Sequence, residues 1–208
     1  MRITVFGAGG RIGRLVVAKA LGHGHEVLGV VRDKPLALEH QRLTVRQGDV
    51  RDIAFVRDVV AGSDGVVFVI SGGSGSNAGI HEEGIAVLVQ AMAENHVDRL
   101  AVVSAAGAFA RSDRRLSLAY RALIATLMAA TYDDLEAMER RVMASDLAWT
   151  IVRPYGLTDD PASGHYRVSL DGSLLHKASR IPRGDVAALL VKALETDTYF
   201  RRAVVVAT

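Results

Sequence analysis

The 208-residue chain contains no cysteine, which removes disulfides, thiolate nucleophiles and thiolate metal sites together. It has no long hydrophobic run either. The longest, such as "GVVFVI" at 65–70, fall far short of the roughly 20 residues a membrane helix needs. Met1 to Phe6 already reads as a strand, so no signal peptide is expected and a cytoplasmic location is. No basic run is interleaved with aromatics, so neither nucleic acid nor a membrane is an expected partner. The densest basic cluster, "RSDRR" at 111–115, reads as a solvated loop. The net charge of +2 is close to balance. No internal repeat or low-complexity linker divides the chain, which points to one domain over residues 1–208.

What is present is a rich apolar complement, 50% of the residues, enough for a substantial core. Apolar runs of strand length alternate with helical patterns. "RITVF" precedes a segment in which Ile12, Val16, Ala20 and Leu21 recur at helical spacing. "HEVLGVV" (25–31), "RLTVRQGDV", "SDGVVFVI", "RLAVVSA" and "AWTIVRP" (148–154) follow as strands with helices between them, and Asp52 is placed to cap one of these helices. The tail reads as a short strand "HYRVSLDG", a helix "RGDVAALLVKALE" and a last strand "AVVVA" (203–207). Unbroken apolar strands alternating with helices imply an α/β fold, a single doubly wound parallel sheet with helices on both faces. A small C-terminal segment is left over for the substrate side.

The first strand runs into "VFGAGGRIG", with glycines at 7, 9, 10 and 13. A glycine loop between a strand and a helix start is where a dinucleotide pyrophosphate binds. Gly7 permits the sharp turn, a missing side chain at Gly9 or Gly10 lets backbone N–H groups approach the phosphates, and Gly13 allows close helix–strand packing. The helix start at Arg11 and Ile12 adds positive dipole density. Gly7, Gly10 and Gly13 fit G-x-x-G-x-x-G, a spacing that resembles the extended and atypical short-chain dehydrogenase/reductases. Phe6 and Gly9 stand where that loop usually carries threonines, so backbone donors must do more of the binding.

The second strand ends in "VVRDK", about 20 residues after the loop, where the ribose 2′ position is read. Arg32 stands there instead of an acid, with Arg11 in the glycine loop, and a guanidinium fork suits a 2′-phosphate. This favours NADP (NADPH) over NAD, although Asp33 follows at once. The resemblance implies that Asp49 contacts the adenine amino group and that Val50 lines the ring. The small residues Ser71, Gly72 and Gly73 after the fourth strand let the backbone pass close to the cofactor ribose.

The catalytic positions are defined by an absence. Core short-chain dehydrogenases use Tyr-x-x-x-Lys, in which the Lys lowers the Tyr pKa for proton transfer. Four residues after Tyr120, Tyr132, Tyr155, Tyr166 and Tyr199 come Ile124, Glu136, Asp159, Leu170 and Ala203. Alcohol–ketone chemistry by that pair is therefore disfavoured, and so is a sugar-nucleotide epimerase. Ser104, ending the fifth strand, holds the usual serine position. It can donate to substrate or carboxamide, or simply bond its own backbone. Acceptors such as flavins and quinones take hydride into a delocalised system, and solvent can supply their proton.

"FGAGGRIG", "VVRD", "GDV", "TYDDLEAMERRVMASDLAWTIVRP", "GHYRVSLDG" and "IPRGDVAALLVKALE" together resemble the atypical short-chain reductases of the biliverdin reductase B (flavin reductase) and NmrA-like type. That resemblance implies a Rossmann fold and NADPH-dependent reduction of a small planar substrate by a monomer or weak homo-oligomer. An NADP(H)-binding redox sensor without turnover is the alternative it carries. A serine and a histidine near the substrate of biliverdin reductase B fall on Ala105 and Gly156 here, which speaks against a tetrapyrrole. The backbone at Pro154, Tyr155 and Gly156 is implied to line the nicotinamide carboxamide, with Tyr155 either stacked over the substrate or packed under its loop. Arg183 or Asp185 can organise the start of the last helix. His81 has no second histidine at ligand spacing, so no metal is expected there. His165 and His176 read as surface residues of the tail.

Overall fold

The computed structural model describes residues 1–72, 78–108, 129–173, 175, 178 and 180–208. The basic cluster at 111–115, Tyr120, Gly73 and His176 lie outside them. Strands β1 (Arg2–Phe6), β2 (Glu26–Val31), β3 (Leu43–Gln47), β4 (Gly65–Phe68), β5 (Arg99–Val103) and β6 (Ala148–Pro154) pair in parallel, and β10 (Arg202–Ala207) joins β6 in the same sense. The sheet order is β3-β2-β1-β4-β5-β6-β10, with β8 (Arg167–Ser169) beyond β10. Ile3 to Phe6 and Gly65 to Phe68 are buried without interruption. That is why these strands read as continuous apolar runs and not as alternations.

Helices α1 (Gly13–Gly22) and α5 (Arg183–Glu195) cover one face, with Val16, Val17, Ala20, Leu189 and Leu190 in its core. Helices α2 (Ile53–Val60), α3 (Ile80–Glu94) and α4 (Ala129–Met143) cover the other, around Val56, Ile85, Leu88, Met138 and Ile151. Each such side chain, fully buried, contributes about 1.5–3 kcal/mol of transfer free energy. Asp52 caps α2 as expected, accepting from the amides of Ala54 at 3.0 Å and Phe55 at 3.2 Å.

The tail contains more than the sequence suggests. β7 (Gly156–Thr158) pairs in parallel with β9 (Arg180–Pro182), three residues each and too short to leave a periodic signal. β8 (Arg167–Ser169) is the expected short strand, but it runs antiparallel to β10. No helix between β7 and β8 carries the chain back across the sheet. β8 therefore starts beside Ala207, at the end where β10 finishes, and runs the other way. The strand order reverses between β1 and β4, and this opens the crevice where α/β sheets bind ligands.

Candidate functional site

Four neighbouring strands end in one cavity of about 260 Å³. Its wall is formed by Phe6, Gly7, Gly9 and Gly10 from the first loop, Val30 to Lys34 after β2, Gly48 to Val50 after β3, Val69 to Gly72 after β4, and Ile80 of α3. The glycine loop is held to β2, because the amides of Gly7 and Ala8 both donate to the Val30 carbonyl, at 3.1 and 3.0 Å. Gly7 adopts φ +86°, and a Cβ there would also lie 2.7 Å from the Val69 oxygen. A Cβ at Gly13 would overlap the Gly7 carbonyl, so that glycine does serve helix–strand packing.

Gly9 is also required by packing within the fold. A side chain there would overlap the Lys34 carbonyl, so Gly9 admits the backbone that follows β2. Gly10 is the least constrained of the set, with only the Gly7 oxygen at 3.1 Å from a Cβ. Ile12 caps α1 without a side-chain bond. Among the described residues the amides of Gly9, Arg11 and Ile12 have no hydrogen-bond acceptor, which leaves donors for an anion at the positive end of the helix.

Arg32 lines the cavity and its Nε donates to Asp33 Oδ2 at 2.6 Å. Gln47 Nε2 holds the Arg32 carbonyl at 2.8 Å. Arg11 does not join it. Its guanidinium faces Asp159 Oδ2 at 3.6 Å, on the far side of the glycine loop, and both side chains are exposed. Asp49 Oδ1 accepts from the Arg51 amide at 2.9 Å, and this turns the carboxylate along the cavity edge. Val50 is buried against α3, where a Cβ on Gly84 would lie 2.8 Å from Val50 Cγ1. Ser71 and Gly72 lie on the wall, and a side chain at 72 would overlap the His81 ring.

Beyond this cavity, the ends of β5 and β6 meet. The Ser104 amide donates to the Val152 carbonyl at 2.8 Å, while its hydroxyl is buried with no hydrogen-bond partner among the described residues. The hydroxyl is thus not bonded to its own backbone. The Pro154 carbonyl accepts from the Ala106 amide at 3.0 Å. The Tyr155 hydroxyl donates to the Leu175 carbonyl at 3.3 Å, so this ring is tied to the tail. Gly156 is exposed and opens β7 opposite Arg180. Tyr132 of α4 packs against Gly107, while Glu136, four residues on, pairs with Arg140.

Several ties here left no local trace. Glu139 is fully buried and takes a bidentate bond from Arg153 of β6, anchoring α4 to the strand before Pro154. Arg183 and Asp185 do not cap α5, whose first position has no side-chain cap bond. They face the preceding loop instead. Arg183 binds Asp159 at 2.8 Å, and Asp185 accepts from Ser163 and from the Gly164 amide, at 2.9 Å each. His165 is exposed, as expected. His81 is not a solvated residue: it is buried between α4 and the loop after β4.

A family model described as NAD(P)H-binding matches residues 7–197. The fold is similar to that of a Veillonella parvula short-chain dehydrogenase/reductase solved in complex with NADP. The TM-score is 0.83 at 20% identity, covering 100% of this chain and 94% of that one. It is also similar to a candidate NADH-flavin reductase of Streptococcus pneumoniae, with TM-score 0.79 and 20% identity over 100% and 99% of the two chains. In sequence, an uncharacterized Mycobacterium tuberculosis protein is 36% identical over 104 residues, 50% of this chain but 12% of that protein. The match thus spans only a small part of such curated relatives.

Proposed function

The chain belongs to the NAD(P)H-binding family, and on that premise we propose that it is an NADPH-dependent reductase of flavins, quinones or similar conjugated planar acceptors. One observation carries the reading: the buried, unpartnered Ser104 hydroxyl at the end of β5. A buried hydroxyl without a partner costs roughly 1–3 kcal/mol, a cost that a ligand group reaching it removes.

The bound nicotinamide supplies the hydride; the chain supplies binding and orientation. The amides at the start of α1 suit the pyrophosphate, the Arg32 fork suits a 2′-phosphate, and Asp49 with Val50 suits adenine. Ser71 and Gly72 let the ribose approach, and the Pro154–Gly156 backbone borders the nicotinamide end. Ser104 donates to the carboxamide or to the acceptor's oxygen. None of the five tyrosines is followed at the fourth position by lysine. Solvent can supply the proton where the acceptor delocalises the incoming charge. The candidate NADH-flavin reductase among its structural neighbours supports the same substrate class.

The test is NADPH oxidation measured against FMN, riboflavin, quinones and biliverdin. Turnover with the flavins or quinones is the expected result, with biliverdin poor because Ala105 and Gly156 lack the polar groups of its reductase. Tight NADPH binding with every acceptor inert would overturn the reductase reading and leave a redox sensor.

A further inference from the structure

We propose that His23, His25 and Glu195 form a site for a divalent transition metal of the zinc class, separate from the nucleotide cleft. α1 starts at the glycine loop and runs for ten residues before reaching His23, so its end lies about 15 Å away, at the opposite edge of the sheet. Glu195 closes α5 at that same edge. His23 Nδ1 lies 2.8 Å and His25 Nε2 2.7 Å from one and the same oxygen, Glu195 Oε1. All three ligating atoms fall within 4.8 Å of one another.

The convergence is held by the core and not by a floppy loop. α1 and α5 share one apolar cluster through Ala20, Leu21, Ala193 and Leu194. The His23 amide is fastened to the Lys19 and Ala20 carbonyls, and the His25 amide to Ala20. Gly24, at φ +88°, turns the chain between them, and the two rings stand 60° apart, one presenting Nδ1 and the other Nε2. Two imidazoles and a carboxylate make the donor set of zinc, nickel and cobalt sites. A tetrahedral ion with bonds near 2.0–2.1 Å separates its ligand atoms by about 3.3 Å, a small widening of the two nitrogen–oxygen distances. His23 and Glu195 remain 37% and 26% exposed, so water can complete the shell. His25 Nδ1 lies 3.4 Å from the Met1 nitrogen.

The competing account is a plain latch, with both rings donating N–H to the carboxylate. The two differ in what they bind. Tag-free protein, stripped with chelator, is titrated with Zn²⁺ by calorimetry and with Co²⁺ by absorbance. Expected are one Zn²⁺ per chain, a tetrahedral or five-coordinate Co²⁺ spectrum, and a Zn²⁺-dependent rise in Tm. His23→Ala and Glu195→Gln should each weaken Zn²⁺ binding by roughly 10–100-fold or more, at least the effect of losing a group that merely supports a ligand. Their NADPH affinity should stay unchanged, which shows that they fold. No uptake by the wild type, or equal uptake by the folded double variant, overturns the site.

Discussion

His81 Nδ1 lies 2.8 Å from Asp134 Oδ2, and the opposite ring nitrogen lies 3.2 Å from the Ile70 carbonyl. The contact with the carboxylate is the shorter of the two. The Asp134 carboxylate also accepts from the amides of His81 and Glu82, at 3.2 and 2.8 Å. It therefore caps α3 from α4. One buried pair thus connects α4 to α3 and to the loop whose Ser71 and Gly72 line the cavity.

Asp134→Ala should be among the most damaging single changes outside the cleft. It strips two amides of their cap and leaves the buried His81 ring without its carboxylate partner. A loss of about 3–5 kcal/mol in stability is expected, measured by urea unfolding. NADPH affinity of the remaining folded protein should fall as well, because the Ile70–Gly72 backbone loses its support.

Ser104→Ala should have opposite effects on stability and activity. Removing a buried hydroxyl that has no partner should leave the cofactor-free protein unchanged or stabilise it by about 1 kcal/mol. Reductase turnover should drop. Lower stability with intact turnover would show that the hydroxyl serves the fold.

Arg32→Ala should weaken NADPH binding by roughly 1.5–3 kcal/mol, the scale of a charged hydrogen bond, and leave NADH nearly unchanged. Arg11→Ala should behave differently. Arg11 faces Asp159 across the glycine loop, so any effect should fall equally on the two cofactors. Parallel fluorescence titrations with NADPH and NADH separate these outcomes.

Two glycines of one loop should differ sharply. Gly13→Ala places a methyl against the Gly7 carbonyl, which should cost about 1–3 kcal/mol as overpacking and abolish nucleotide binding. Gly10→Ala meets only one oxygen at 3.1 Å and should fold with near wild-type Tm.

Much of the fold was legible because its signals are local. The apolar runs of β1, β4 and β6, the Asp52 cap and the turn at Gly7 depend on residues a few positions apart. Gly9 was legible from the loop spacing, but its packing constraint was not, since the atom it makes room for belongs to Lys34, 25 positions on. Arg183 and Asp185 were legible as a motif, yet their partners, Asp159, Ser163 and Gly164, become neighbours only when the loop after β7 folds back on α5.

The sequence alone determined the alternation of strands and helices, the glycine loop that goes with an NAD(P)H-binding chain, and the absence of a Tyr-x-x-x-Lys pair. Each follows from covalent spacing and the 2.0 and 3.6 residue periods. Tertiary structure decided which charges meet: Arg153 with Glu139, His81 with Asp134, Arg11 with Asp159, and two histidines with Glu195. Those pairings are set by strand order and helix packing, which place side chains 14 to 172 positions apart within hydrogen-bonding or ion-pair reach, and no local pattern encodes that distance.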